Sequence, residues 1–143
     1  MDIISKEARS KNMSKIKSKN TKPEIEVRKI LHSMGYRFSL NKKTLPGKPD
    51  IWLKKYNTAI FVHGCFWHRH ENCKLAYTPK TRTAFWTDKF NKTIMRDKMN
   101  VEKLKEMGIS VLVIWECEIF NKSDPDHKNL KNILDSFLKK QIK

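Results

Sequence analysis

An α/β fold is predicted for this chain: one mixed sheet of three antiparallel strands plus a parallel fourth, flanked by helices. Three observations predict it. Apolar residues recur with helical spacing in separate segments, strand-like runs follow one another across short loops, and a long helical pattern precedes the apolar run Val111-Leu112-Val113-Ile114.

The first helix opens at Thr21-Lys22-Pro23-Glu24, with a hydroxyl at the cap, Pro in the first turn and an acid three residues on. Its stripe is Val27, Ile30, Leu31 and Met34, and Gly35 occupies the stop position. Tyr36 to Leu40 alternates as a short strand, and Leu45-Pro46-Gly47-Lys48-Pro49 is a turn signal. Asp50 to Leu53 begins a second strand, Lys54-Lys55-Tyr56-Asn57 turns the chain, and Thr58 to His63 forms a third, so these three are antiparallel neighbours.

Thr83 to Met107 is expected to be helical, with Trp86, Phe90, Ile94, Val101 and Leu104 on one side, a bend within it and Gly108 as its stop. Ile109 to Trp115 follows as a strand expected to be buried on both faces. A helix this long permits a crossover, which places that strand parallel to the third. Asn121 to Asp126 is loop, and Leu130, Ile133, Leu134, Phe137 and Leu138 mark a C-terminal helix. One domain is expected over 1–143, with a basic arm at 1–20 and a C-terminal loop and helix at 121–143.

Composition points to a polyanion. The 31 Lys and Arg against 15 Asp and Glu give a net charge of +16, beyond what solubility requires. Lys6, Arg9, Lys11, Lys15, Lys17, Lys19 and Lys22 all fall within the first 22 residues, an arm suited to phosphates. The charged start has no apolar segment of a signal peptide, and no run has the length of a membrane span. A cytoplasmic protein of bacterial type is therefore expected, with no membrane partner.

The segment Gly64-Cys65-Phe66-Trp67-His68-Arg69-His70-Glu71-Asn72-Cys73 carries two thiols, two imidazoles and two large rings. With Cys117, at the end of the last strand, Cys65, His70 and Cys73 make a Cys₃His set for Zn²⁺, closed and hence structural. His68 is an alternative fourth ligand, and small buried thiols are the competing reading. Phe66 and Trp67 suit wedging between stacked bases. Asp50, entering a strand beside Pro49 with His63 at the neighbouring strand's end, is a candidate for holding Mg²⁺ against a phosphate, although Asp beside Pro is also ordinary turn chemistry.

Several segments together resemble the very-short-patch repair (Vsr) DNA mismatch endonucleases. They are Arg9-Ser10-Lys11-Asn12-Met13, Leu45-Pro46-Gly47-Lys48-Pro49-Asp50, Val62-His63-Gly64-Cys65-Phe66-Trp67-His68, Thr81-Arg82-Thr83-Ala84-Phe85-Trp86 and Trp115-Glu116-Cys117. The resemblance implies a restriction-endonuclease-like core that nicks one DNA strand beside a T:G mismatch. It implies Asp50 and the Val62 main-chain carbonyl as Mg²⁺ ligands, His68 as activator of water, and His63 and Glu24 as support. Cys65, His70, Cys73 and Cys117 become the zinc ligands.

It further implies that Phe66, Trp67 and Trp86 insert into the stack from the major groove while the arm, with Met13, approaches from the minor groove. Lys89 and Arg96 are candidate DNA contacts. Glu24 also completes a capping box with Thr21, His63 also suits a hydrogen-bonded strand end, and Trp86 also fits a core stripe with Phe90 and Ile94. The implied partners are T:G duplex DNA, a cytosine methyltransferase system and mismatch-repair proteins, with the enzyme a monomer. Two departures from the family pattern are Thr93, where Asn is common, and one extra residue between His70 and Cys73. The alternatives are a restriction-like or mobile-element nuclease of the same fold and a noncatalytic zinc protein that binds nucleic acid.

Overall fold

The computed structural model describes residues 20–141. Arg9, Lys11 and Met13, with the arm to which they belong, lie outside the described residues. The elements in chain order are α1 (Lys22–Ser33), β1 (Ser39–Leu40), β2 (Ile51–Leu53), a 3-10 turn (Lys54–Tyr56), β3 (Thr58–His63), α2 (Thr83–Glu106), β4 (Ser110–Trp115), α3 (Glu116–Ile119) and α4 (Lys128–Lys139).

One sheet runs in the order β1-β2-β3-β4. β2 pairs antiparallel with both neighbours, through Ser39 opposite Trp52 and Ile51 opposite Ile60. β3 and β4 run parallel, from Thr58 opposite Ser110 to His63 opposite Trp115. The turn before β3 closes on Asn57 in the left-handed region (φ 49°), which Asn tolerates better than most residues. The expected topology is thus observed, with β1 reduced to its last two residues.

Helices cover both faces. On one, Val27, Ile30 and Leu31 of α1 and Leu130, Leu134 and Leu138 of α4 pack on Ile51, Leu53, Ile60, Val62 and Ile114. On the other, Leu104 of α2 packs on Ala59, Phe61 and Ile109, with Trp52, Val111 and Val113 alongside. Two expectations fail here. β3, not β4, is buried along its whole length, because β4 is an edge strand and Val111, Leu112 and Val113 are only half-covered. Ile94 is exposed, because the sheet reaches only part of the unbroken α2, whose buried residues are Phe90 and Leu104. Among the described residues no helix is long and apolar enough to cross a membrane.

Candidate active site and metal cluster

The chain enters β2 through the turn Leu45 to Lys48, closed by the Lys48 N–H donating to the Leu45 carbonyl at 3.0 Å. Asp50 then stands beside β3, and its Oδ2 accepts the Val62 N–H at 2.7 Å. Burial, followed by the nearby Glu24 charge, pushes the Asp50 carboxyl up to about 6 against the pull of the Val62 hydrogen bond. A half-buried carboxylate whose ionisation is disfavoured would be restored to its charged form by a cation beside it.

Glu24 is buried in the first turn of α1. Thr21 Oγ1 accepts its N–H at 3.4 Å, half of the expected capping box. The other half is displaced by one residue: Glu24 Oε2 accepts from the Asn20 N–H at 2.8 Å and pairs with Arg28 at 3.4 Å. The same carboxylate lines a cleft of about 540 Å³ with Asp50, Val62, His63, His68 and Arg96. Cap and cleft are therefore one side chain's two surroundings, not alternatives.

His63 ends β3 with its ring buried, and this burial pushes its pKa down to about 4. Its Nδ1 is enclosed with no hydrogen-bond partner among the described residues, unlike the satisfied strand-end histidine the sequence allowed. His68 stacks on it, with centroids 3.9 Å apart and planes within 5°. His68 Nδ1 lies 2.6 Å from Asp97 Oδ2. A carboxylate oxygen accepts, so Nδ1 is the donor of this pair, and in the neutral tautomer that this selects Nε2 is the acceptor.

Asp97 was not singled out in the sequence. It sits in α2 with Thr93, Arg96, Asn100 and Val101, all lining the cleft. Their i, i+3, i+4, i+7, i+8 spacing is the signal that would have marked a second, partly polar face of that helix. A larger trough of about 1360 Å³ shares His63, His68, Asp97 and Val101 with the cleft.

Cys65, His70, Cys73 and Cys117 place one donor atom each within 4.8 Å of all the others. His70 Nδ1 is 3.7 Å from Cys65 Sγ and 3.3 Å from Cys117 Sγ. A tetrahedral ion about 2.3 Å from sulfur and 2.1 Å from nitrogen sets ligands roughly 3.6 Å apart. The donor set and spacing are those of a structural zinc site. Burial pushes the Cys65 thiol up to about 12, a penalty on its thiolate that a bound cation would offset. His68, paired with Asp97, is not in this cluster. Asn72, within the lengthened loop, takes a left-handed φ of 56° that lets the chain turn back to Cys73.

Phe66, Trp67 and Trp86 form a half-buried aromatic ledge, with Phe66 5.1 Å from Trp67 and 5.6 Å from Trp86. Trp86 is neither core nor free, since the buried Phe90 lies beneath it at 5.8 Å. Tyr77 and Phe85 extend the ledge into solvent, and neither was singled out from sequence. Arg69 fastens the loop by donating to the carbonyls of Phe66, Ala76 and Tyr77 while lying 3.9 Å over Phe90. Lys89 sits over Trp67 at 5.9 Å. Arg96 lines the cleft and Lys89 borders the ledge, so the two α2 cations face different parts of the site.

A pair of acids, an imidazole paired with a carboxylate and an aromatic ledge, carried on a strongly basic chain, fit a hydrolase of the DNA-cleaving class. A profile of the DNA mismatch endonuclease Vsr family matches residues 1–75. Over 122 residues the chain is 48% identical to a type II nicking enzyme, V.NmeAIP, of Neisseria meningitidis, covering 85% of this chain and 86% of that protein. It is 42% identical over 134 residues to the type II nicking enzyme V.XorIIP of Xanthomonas oryzae, covering 94% and 97%. It is 36% identical over 137 residues to the DNA mismatch endonuclease Vsr of Escherichia coli, covering 96% and 87%. The chain belongs to the Vsr DNA mismatch endonuclease family and is a DNA-nicking endonuclease.

Proposed function

We propose that this enzyme nicks one strand of duplex DNA beside a T:G mismatch, initiating very-short-patch repair after deamination of methylcytosine in the bacterial cytoplasm. The observation that carries the reading is the convergence of Asp50, Glu24, His63, His68 and Asp97 on one cleft, with Phe66 and Trp67 immediately preceding His68 in the chain. Asp50 and the Val62 carbonyl would hold Mg²⁺, a fit supported by a half-buried carboxylate whose charge burial disfavours and by a second acid nearby. Bound there, the ion supplies charge neutralisation at the scissile phosphate.

The protein's own groups do the rest. Asp97 holds the Nδ1–H of His68, so Nε2 accepts a proton from the attacking water. His63 stays neutral behind it, restricting the ring's tilt through the stack. Arg96 and Lys89 engage phosphates, joined by Arg9 and Lys11 of the arm. Phe66, Trp67 and Trp86 enter the stack where unstacking is cheapest, at a mispaired step, and Met13 approaches from the opposite groove. The Cys₃His cluster holds Zn²⁺ as scaffold. Incision leaves a 5′-phosphate and a 3′-hydroxyl, and the enzyme works as a monomer alongside a cytosine methyltransferase system and mismatch-repair proteins.

A strand-specific nicking assay on matched and T:G duplexes, with and without Mg²⁺, tests this. Nicking restricted to one strand of T:G duplexes, and only with Mg²⁺, is the expected result. Equal nicking of matched duplexes would favour the second reading, a restriction-like nicking enzyme, which the names of the Neisseria and Xanthomonas relatives support. Undiminished nicking without a divalent ion would overturn the metal's role.

A further inference from the structure

A column of four rings and one carboxylate joins the Cys/His cluster to the cleft. His70, whose Nδ1 belongs to the cluster, stacks on Trp115 with centroids 4.2 Å apart and planes within 12°. Trp115 meets His63 edge-on at 5.1 Å and 76°. His63 stacks on His68 at 3.9 Å, and His68 bonds to Asp97 at 2.6 Å. The middle contact is fixed by topology, because the parallel ladder places His63 directly opposite Trp115. The next residue reinforces it, since Glu116 Oε1 accepts the Cys65 N–H at 3.2 Å.

The column matters because His63 lacks the usual means of holding an imidazole. Its Nδ1 is buried and unpartnered among the described residues, so no hydrogen bond at that atom sets the ring plane. Ring contacts set it instead: His68 stacks on its face, Trp115 meets it edge-on, and Phe61 lies 5.9 Å away. Trp115 is itself stacked on His70, whose rotation a metal held by the cluster would restrict.

We propose that Trp115 is a positioning residue that couples the metal cluster to the histidine pair, fixing the plane from which His68 acts. The proposal rests on the reading above, in which His68 accepts the proton and the cluster holds zinc. It goes beyond that reading by giving the scaffold a route to the chemistry: the zinc site braces His63 as well as its own loop.

The test compares Trp115→Met, which fills the space without a ring, with Trp115→Phe, which keeps one. Zinc content, T:G duplex affinity, single-turnover rate and the ring-proton NMR shifts of His63 and His68 are measured on the intact, zinc-loaded chain. Trp115→Met is expected to keep zinc and duplex affinity, lose about 10²-fold in rate as small misplacements do, and move both histidines' resonances. Trp115→Phe should recover most of the rate and the native shifts.

Unchanged rate and shifts in Trp115→Met would overturn the coupling, as would equal losses in the two variants, which mark simple packing. Loss of zinc from Trp115→Met would also overturn it, by making the residue part of metal retention. His68→Ala separates this from the parent reading: full nicking in that variant removes the proposed base. A dead His68→Ala beside a normal Trp115→Met removes the coupling alone.

Discussion

The Cys/His cluster and the acid–histidine cleft are neighbours, joined through Trp115, yet they are assembled in opposite ways. The cluster takes Cys65, His70 and Cys73 from one loop, and only Cys117 comes from afar, delivered just past the end of β4. The cleft takes Glu24 from α1, Asp50 from the approach to β2, His63 from β3, His68 from the loop and Asp97 from α2. Their energetics differ equally. Four donors at near-tetrahedral spacing gain free energy when an ion arrives, whereas the cleft holds an acid that burial disfavours and an imidazole nitrogen with no partner among the described residues. With its ion bound the first region would stabilise the chain, while the second burdens it, which is the usual division between scaffold and chemistry.

The sharpest way to break that contrast is to open the cluster. Cys117→Ser should lose zinc on exhaustive dialysis and unfold well below the native temperature, since structural zinc contributes on the order of 10 kcal/mol in small domains. Metal analysis and thermal unfolding check it together. Retained zinc with unchanged stability would remove the cluster's scaffold role and leave only a group of buried thiols.

The cleft should respond in the other direction. Asp50→Asn is expected to lower nicking by about 10³-fold, the scale of a lost charge-stabilising contact. Without Mg²⁺ it should nevertheless raise thermal stability at neutral pH. The sign follows from the carboxyl's rise from 3.8 to about 6 on folding: between those values the folded chain binds the proton more tightly. Native stability therefore falls as pH climbs through that window, and the full penalty, on the order of 2 to 3 kcal/mol, is present above it. Asn cannot ionise, so the Asp50→Asn stability curve should be flatter there. A variant less stable than the native chain at pH 7 would show that the cleft carries no such burden.

The same contrast decides what could be read from the residues beforehand. Cysteine and histidine clustered in ten positions announce themselves, and Cys117 joined them once the helix before the last strand implied a parallel β3 and β4. Asp50 stood out only beside Pro49 and, more firmly, through the family pattern. Asp97 did not stand out, because an Asp in a charged amphipathic helix looks like solvated surface until the fold turns that face inward. The burial of β4 was misjudged for a related reason: an apolar run reports that a strand is covered, not whether a further strand lies beyond it. Glu24 shows the opposite limit, since its cap geometry was legible and its place in the cleft required α1 to be docked.

Asp97→Asn sharpens the comparison within the cleft. The amide can donate to His68 Nδ1 and thereby favour the wrong tautomer, so a single-turnover rate loss of about 10² is expected with duplex affinity nearly unchanged. Native stability should barely move, because the 2.6 Å contact is partly exposed. A large loss of duplex affinity instead would assign Asp97 to substrate binding.

The smallest effect concerns how the turn before Asp50 is held against α2. Gly47 has φ +76°, and a Cβ built there would stand 2.9 Å from Asn100 Cβ and Cγ. Gly47→Ala thus meets a left-handed backbone and a close approach together, for an expected loss of roughly 1 to 2 kcal/mol in thermal unfolding. Trimming Asn100 to Ala in the same chain removes Cγ and Nδ2 but leaves Cβ where it was. The double variant should therefore recover only part of the loss, because the backbone strain and the 2.9 Å approach to Asn100 Cβ both persist. Complete recovery would mean that the Asn100 amide alone sets the spacing. In that case the turn carrying Asp50 is seated by a movable side chain, and the cleft is more adjustable than the cluster beside it in geometry as well as in energy.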